Sequence, residues 1–151
     1  MKIFKDVYKL NVKKNSDKRG FFIEIFKTNQ LKFKGKILQV SHSFIKENII
    51  KGWHFHKKQT QWNYLLSGKI KVFLIDNRKQ SKTFKQIKSF IVDSSKKKVI
   101  YFFPPNIGHA YITLNKNNHM LYATSGNYDP KEEYKLPLDK STTKNLYKEI
   151  L

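Results

Sequence analysis

Nine short segments rich in β-branched and aromatic residues, with turn signals between them and almost no helical periodicity, mark this 151-residue chain as an all-β sandwich or barrel. The segments are GFFIEIF (20–26), KILQVSHSF (36–44), KGWHFH (51–56), WNYLL (62–66), KIKVFLID (69–76), FKQIKSFIV (84–92), KKVIYFF (97–103), HAYITL (109–114) and HMLYATS (119–125). Ser67–Gly68 reads as a turn and 76–81 as a loop, while Pro104 and Pro105 break the chain where no central strand could continue. Only STTKNLYKEIL (141–151) has a helical look, with Ser141 or Thr142 able to cap it. No repeat, linker or low-complexity tract interrupts the chain, so residues 1–151 are expected to form one domain.

Composition narrows the function classes. Cysteine is absent, which removes disulfides and thiolate metal sites and suits a reducing compartment. No run approaches the roughly 18 apolar residues of a membrane helix, and the start MKIFKDVYKL lacks an apolar leader core; a cytoplasmic protein without a membrane partner is expected. The formal charge is +20, but the lysines are spread from Lys2 to Lys148 and only Arg19 and Arg78 are arginine. Dispersed lysine is not the clustered footprint of a nucleic-acid protein, so no nucleic-acid partner is expected. The surplus charge would still steer a small anionic substrate.

The stretch KGWHFHKKQTQW places His54 and His56 two apart in an expected strand, so both imidazoles share a face opposite Trp53 and Phe55. If the indole and phenyl rings packed between sheets, the imidazoles would face the other side. Trp53 and Trp62 read as core residues; His42 and His119 read as structural or surface residues. His54, His56 and His109 could together offer three imidazoles to a metal.

These residues resemble the two motifs of the cupin superfamily. His54, His56 and Gly68 fit a His-x-His pair followed by Glu and Gly, with Gln61 in the place of Glu. Pro104 and His109 fit Pro-x-Gly-x-x-His, with Asn106 in the place of Gly. The resemblance implies a jelly roll, or double-stranded β-helix, of two facing antiparallel sheets, here with a short C-terminal helix.

Within that superfamily the chain resembles the dTDP-4-dehydrorhamnose 3,5-epimerase family. KRGFFIEIF is similar to RGFF-x-E; LQVSHS with KGWHFH to the stretch leading into RGLHFQ; GKIKVFLIDNRKQSKTF to G-x-V-x-D-V-x-V-D-x-R followed by SPTF. FFPPNIGHAYITL is similar to IP-x-G-x-AHGF-x-x-L, and MLYATSGNYDP to LYK-x-T-x-x-Y-x-P. The five segments run in order over about three quarters of the chain.

The resemblance implies an isomerase of surface-polysaccharide or lipopolysaccharide synthesis that acts on a nucleoside-diphosphate sugar, needs no metal or other cofactor, and forms a homodimer with an N-terminal strand exchanged between subunits. It implies His54 as catalytic base and Tyr122 as catalytic acid. Arg19 and Glu24 fall on residues that touch the nucleotide and diphosphate, Lys51 on an arginine beside the phosphates, Gln61 on a lysine near the keto oxygen, and His109 on the histidine of AHGF. Val72 replaces the aspartate of G-x-V-x-D, and no counterpart to the family's C-terminal carboxylate behind the catalytic histidine is found.

A second likeness is to sugar-nucleotide 3,4-ketoisomerases. HFHKK, the spacing to Gln61 and Gly68, and YDPKEEYKL are similar to that group, in which His56 would share the proton work. A binding cupin that holds a sugar or a metal without chemistry is the third class left open.

Overall fold

Thirteen short strands build the described part of the molecule, a computed structural model covering residues 1–27 and 36–136. They are β1 (Lys2–Phe4), β2 (Val7–Asn11), β3 (Lys14–Asp17), β4 (Gly20–Ile23), β5 (Gln39–Ile45), β6 (Ile50–Phe55), β7 (Gln61–Ser67), β8 (Lys69–Asp76), β9 (Ile87–Asp93), β10 (Val99–Phe103), β11 (Ile107–Thr113), β12 (Asn118–Thr124) and β13 (Tyr134–Lys135). A 3₁₀ turn, Pro130–Glu132, precedes β13. The expected helix over 141–151 lies outside the described residues. Among the described residues no helix is long and apolar enough to cross a membrane.

Two antiparallel sheets face one another. One has the order β1-β2-β10-β7-β12-β5, the other β13-β6-β11-β8-β9, and β3–β4 stands apart as a two-stranded hairpin. Strand alternation sorts the apolar residues into three layers. The central layer joins both sheets: Leu65, Tyr101, Phe103 and Met120 from the first meet Ile70, Val72, Leu74 and Tyr111 from the second. Trp53, Phe73, Ile75, Ala110 and Ile112 cluster on the outer face of the five-stranded sheet, and Trp62, Phe102 and Ala123 on the outer face of the six-stranded sheet. Both tryptophans are buried core residues, as the sequence suggests.

The motif positions have geometric reasons. Gly68 links β7 to β8 with φ at +103°, and a Cβ there would strike the Asn118 side-chain oxygen and stand 2.8 Å from the Asn117 carbonyl. Asn106 stands where the resembled motif has glycine and takes φ +63°, a left-handed conformation that asparagine tolerates better than most residues.

All nine expected strands form, with altered ends. GFFIEIF pairs only over Gly20–Ile23, and FKQIKSFIV begins at Ile87, because Phe84 and Gln86 are tied into turns on the Ser81 and Thr83 carbonyls. Strands β1, β2, β3 and β13 are additional to the nine. They are short, and β3 is polar throughout, so they give little periodic signal and are fixed by pairing with their neighbours.

Candidate active site

A cavity of about 290 Å³ opens between the sheets, in the size range of small-molecule sites, with walls supplied by both. The five-stranded sheet contributes Lys51, His54 and His56 from β6 and its extension, Val72 from β8, and His109 and Tyr111 from β11. The six-stranded sheet contributes Gln39, Ser41 and Ser43 from β5, Gln61 and Asn63 from β7, Tyr101 and Phe103 from β10, and Tyr122 and Thr124 from β12. Tyr128, Asp129 and Glu133 line the mouth from the segment around the 3₁₀ turn.

The shared face of His54 and His56 is as expected, but the packing of their neighbours is not. Trp53 lies on the outside of its sheet against Phe73, and Phe55 stacks on Tyr134 of β13 at 5.1 Å. The histidines therefore take the side between the sheets.

Lys51, three residues before His54, should face the opposite way in a regular strand. It reaches the same cavity because the β6–β11 register shifts: His109 pairs with His54, yet Tyr111 pairs with Lys51. The extra residue of such a bulge re-aims one side chain. Gly52 sits at this shift with φ +129°, where a Cβ would lie 2.5 Å from that of Ala110 and 2.7 Å from the His109 carbonyl oxygen. Only glycine permits that approach.

The 3₁₀ turn fixes the histidine segment. His56 donates from Nδ1 to the Glu132 carbonyl oxygen at 2.8 Å, which leaves Nε2 as the acceptor of the neutral ring. The Glu132 carboxylate accepts from the backbone N–H groups of Lys57 and Lys58 at 3.1 and 3.0 Å. Asp129 caps the turn by accepting from Lys131 N at 2.9 Å. YDPKEEYKL is thus the clamp that holds HFHKK.

Burial lowers the pKa of His54 below its ordinary value; Glu133 opposes this, and the charges of His56, Lys135 and Lys51 add to it. Glu133, which lines the same cavity and acts on this histidine through its charge, is a residue that the sequence alone did not single out. His109 is packed between Phe103, with ring centroids 4.7 Å apart, and His56, at 5.5 Å. Burial, reinforced by His56, pushes its pKa down to about 3, so it is neutral at physiological pH.

The three imidazoles do not converge on a point. His109 and His56 are stacked, and His54 meets His109 edge-on at 6.3 Å, whereas ring lone pairs lie in the ring planes. Among the described residues no group of three or more histidine or acidic side chains is placed to hold an ion.

Opposite the histidines stands a row of hydroxyls and amides. Tyr122 Oη lies 2.9 Å from Ser43 Oγ and 2.8 Å from Tyr111 Oη. Gln61 Nε2 donates to Asn63 Oδ1 at 2.7 Å, and Gln39 Nε2 to Ser41 Oγ at 2.8 Å.

Of the residues singled out from sequence, His54, His56, Tyr122, Lys51, Gln61 and His109 meet in this cavity. Arg19 and Glu24 do not line it. Arg19 is at the tip of the β3–β4 hairpin, 82% exposed and paired with Asp17 at 2.6 Å, and Glu24 pairs with Lys27. Gln39, Ser41 and Ser43 were missed, although every second residue of LQVSHS being polar is a readable signal for one polar face. His42 and His119 lie outside the cavity, joined to each other by a 3.0 Å contact between ring nitrogens.

A jelly roll with histidines on one wall and a tyrosine on the other, around an array of proton donors and acceptors, defines a candidate proton-transfer isomerase. The particular family follows from comparison. The chain belongs to the dTDP-4-dehydrorhamnose 3,5-epimerase family, whose model matches residues 2–148. It is 30% identical to the dTDP-4-dehydrorhamnose 3,5-epimerase of Salmonella typhimurium over 137 residues, which are 85% of this chain and 73% of that one. It is also 30% identical to the spore coat polysaccharide biosynthesis protein SpsL of Bacillus subtilis, over 85% of this chain and 86% of that one. The crystal structure of the dTDP-4-dehydrorhamnose 3,5-epimerase from Bacillus anthracis, with TDP and pyrophosphate bound, superposes with a TM-score of 0.84 at 27% identity, covering 93% of this chain and 85% of that one.

Proposed function

We propose that this chain epimerises a 4-keto-6-deoxy sugar carried on a nucleoside diphosphate, with His54 as the base and Tyr122 as the acid. The observation that carries this reading is that His54 and Tyr122 line one cavity from its two opposite walls. A ketone at C4 acidifies the hydrogens on C3 and C5, and a neutral imidazole can remove one. Inversion requires the returning proton to come from the other face of the ring, which is where Tyr122 stands. Charge that gathers on O4 in the enolate is met by donors from Gln61 and Lys51, since the one N–H of the neutral His109 is turned to the Ile107 carbonyl at 3.4 Å; fixed donors aimed at developing charge lower such barriers by several kcal/mol.

The ligand class rests on kinship with the Bacillus anthracis protein, which holds TDP, and the place in polysaccharide synthesis on the names of the relatives. A nucleotide-activated substrate and a cysteine-free chain fit a cytoplasmic reaction; cell fractionation checks this.

Arg19 and Glu24 enter this reading through a homodimer. Their hairpin joins neither sheet, and it exposes Phe21 and Phe22 by 60% and 65%. An apolar arm of this kind fits against a second copy and would bring Arg19 toward the partner's cavity. Sedimentation that shows only monomer contradicts this arrangement.

Tyr122→Phe tests the assignment of the acid. In heavy water the variant should still wash deuterium into the substrate through His54, while inversion falls by about a hundredfold or more. Inversion at the parental rate would place the acid elsewhere. One observation favours the 3,4-ketoisomerase reading as second: His56, with Nε2 free to accept a proton, shares the cavity with His54.

A further inference from the structure

Tyr122 is held by hydroxyls from both sheets. Ser43, on the neighbouring strand β5, lies 2.9 Å from its oxygen, and Tyr111, on β11 of the opposite sheet, lies 2.8 Å from it. Tyr111 is buried in the central layer, and in the AHGF segment that it resembles, its position is a phenylalanine. The hydroxyl that crosses the sandwich to Tyr122 is therefore a feature of this chain that the resembled segment does not supply.

A phenol oxygen has one proton to give and two lone pairs to receive with. If Tyr111 and Ser43 both donate, the lone pairs of Tyr122 are occupied and its own O–H is left to point into the cavity. When Tyr122 delivers its proton, the electron pair of the enolate C=C forms the new C–H bond, the O–H pair stays on Tyr122 as a phenoxide, and solvent later returns a proton. Two donors already aimed at that oxygen favour the charged form. Burial, then the nearby Tyr122, pushes the Tyr111 pKa well above its ordinary value, so Tyr111 is still a donor when Tyr122 is charged.

We propose that Tyr111 is a positioning residue for proton delivery by Tyr122: its hydroxyl, donated across the sandwich, turns the Tyr122 O–H into the cavity and holds the phenoxide that delivery leaves behind. This rests on the epimerase reading and assigns Tyr111 no contact with the substrate. The other titratable groups that share the cavity with Tyr122 are Tyr101 on β10, His109 on β11, Lys51, His54 and His56 along β6, and Tyr128, Asp129 and Glu133 around the 3₁₀ turn.

The test compares the parent, Tyr111→Phe and Tyr122→Phe on a thymidine diphosphate 4-keto-6-deoxyhexose in heavy water across pH 6 to 10, with deuterium wash-in and inversion followed separately. Tyr111→Phe should exchange within about twofold of the parent and keep its KM, while inversion falls about tenfold, the order expected for one hydrogen bond to a charged group. Without this donor Tyr122 holds its proton more firmly, so the alkaline limb of inversion moves to higher pH. Placing 3-fluorotyrosine at position 111 gives a stronger donor of nearly the same size and should move that limb to lower pH; this variant keeps the test open if Tyr111→Phe does not fold.

Equal losses of wash-in and inversion with an unmoved limb would reduce Tyr111 to a packing residue and overturn the proposal. So would parental inversion by Tyr111→Phe while Tyr122→Phe is impaired. A parent protein that neither exchanges nor inverts would instead sink the epimerase reading itself.

Discussion

His54→Ala is expected to abolish the exchange of substrate hydrogen with heavy water, with exchange and inversion both falling about a thousandfold, near the middle of the range for a lost general base. Exchange and inversion share the first proton abstraction, so a lost base removes both, whereas a lost acid spares exchange. The backbone sets this imidazole in the cavity: His54 pairs directly with His109 across β6 and β11, and the bulge beside it brings Lys51 to the same face. Its pH dependence has a definite sign. Burial holds the His54 pKa below 6.5, and a base works only when unprotonated, so the acid limb of kcat/KM should lie below that value and vanish in the variant. If His54→Ala exchanges deuterium as fast as the parent, the role of this histidine is wrong.

The largest expected loss of stability comes from Asp76→Ala, about 3–5 kcal/mol, the usual cost of removing one partner from a buried charge pair. Asp76 ends β8 with its side chain fully buried. Its carboxylate accepts from Arg78 Nε at 2.8 Å and Nη2 at 2.7 Å, from Ser81 Oγ at 2.7 Å and from Thr83 Oγ1 at 2.6 Å. Arg78 also reaches the Lys5 carbonyl at 2.8 Å, which ties the 77–86 loop to the turn between β1 and β2. The DNR and SKTF segments, two strong points of the family resemblance, thus serve here as a structural lock. Removing the carboxylate takes an acceptor from a guanidinium and two hydroxyls at once and leaves them only the Lys5 carbonyl and each other.

For a chain of this length the loss should lower the thermal midpoint by about 10 °C or more. Burial alone would raise the Asp76 pKa, but Arg78, Thr83 and Ser81 outweigh it and hold it well below the ordinary carboxylate range. A carboxyl depressed in the folded state stabilises fully above its unfolded pKa of about 3.9 and loses that contribution as pH falls further. The melting points of parent and variant should therefore approach one another below about pH 4. A variant that melts with the parent at pH 7 would contradict the lock.

What the sequence disclosed and what it hid divide along physical lines. Alternating and β-branched runs gave the nine strands, eight of which have an apolar face to bury, while GFFI leaves Phe21 and Phe22 exposed; the turn at Gly68 was legible from its glycine and the break after Phe103 from Pro104 and Pro105. The hairpin strand KNSD buries nothing, so nothing in its pattern distinguishes it from a loop.

The cavity inverts the usual rule that apolar residues point inward. On β5 the inward residues are Gln39, Ser41 and Ser43, while Val40 and Phe44 are 56% and 52% exposed, so reading hydrophobicity alone hides that wall of the site. Lys51 was reached through family resemblance; strict alternation would have turned it away, and only the bulge explains its place. Glu133 and the Tyr111–Tyr122–Ser43 cluster join residues far apart in the chain, and such tertiary contacts leave no periodic trace.

The epimerase reading requires that proton transfer beside a C4 ketone invert a sugar carbon in this cavity. The most direct measurement is the NMR spectrum of a thymidine diphosphate 4-keto-6-deoxyhexose after incubation with the unmodified protein in heavy water. Deuterium is expected at C3, at C5 or at both, with inverted configuration at a labelled carbon and a ketone still at C4. A ketone moved to C3 would establish the ketoisomerase in its place, and a substrate recovered without deuterium and without inversion would contradict proton transfer in this cavity.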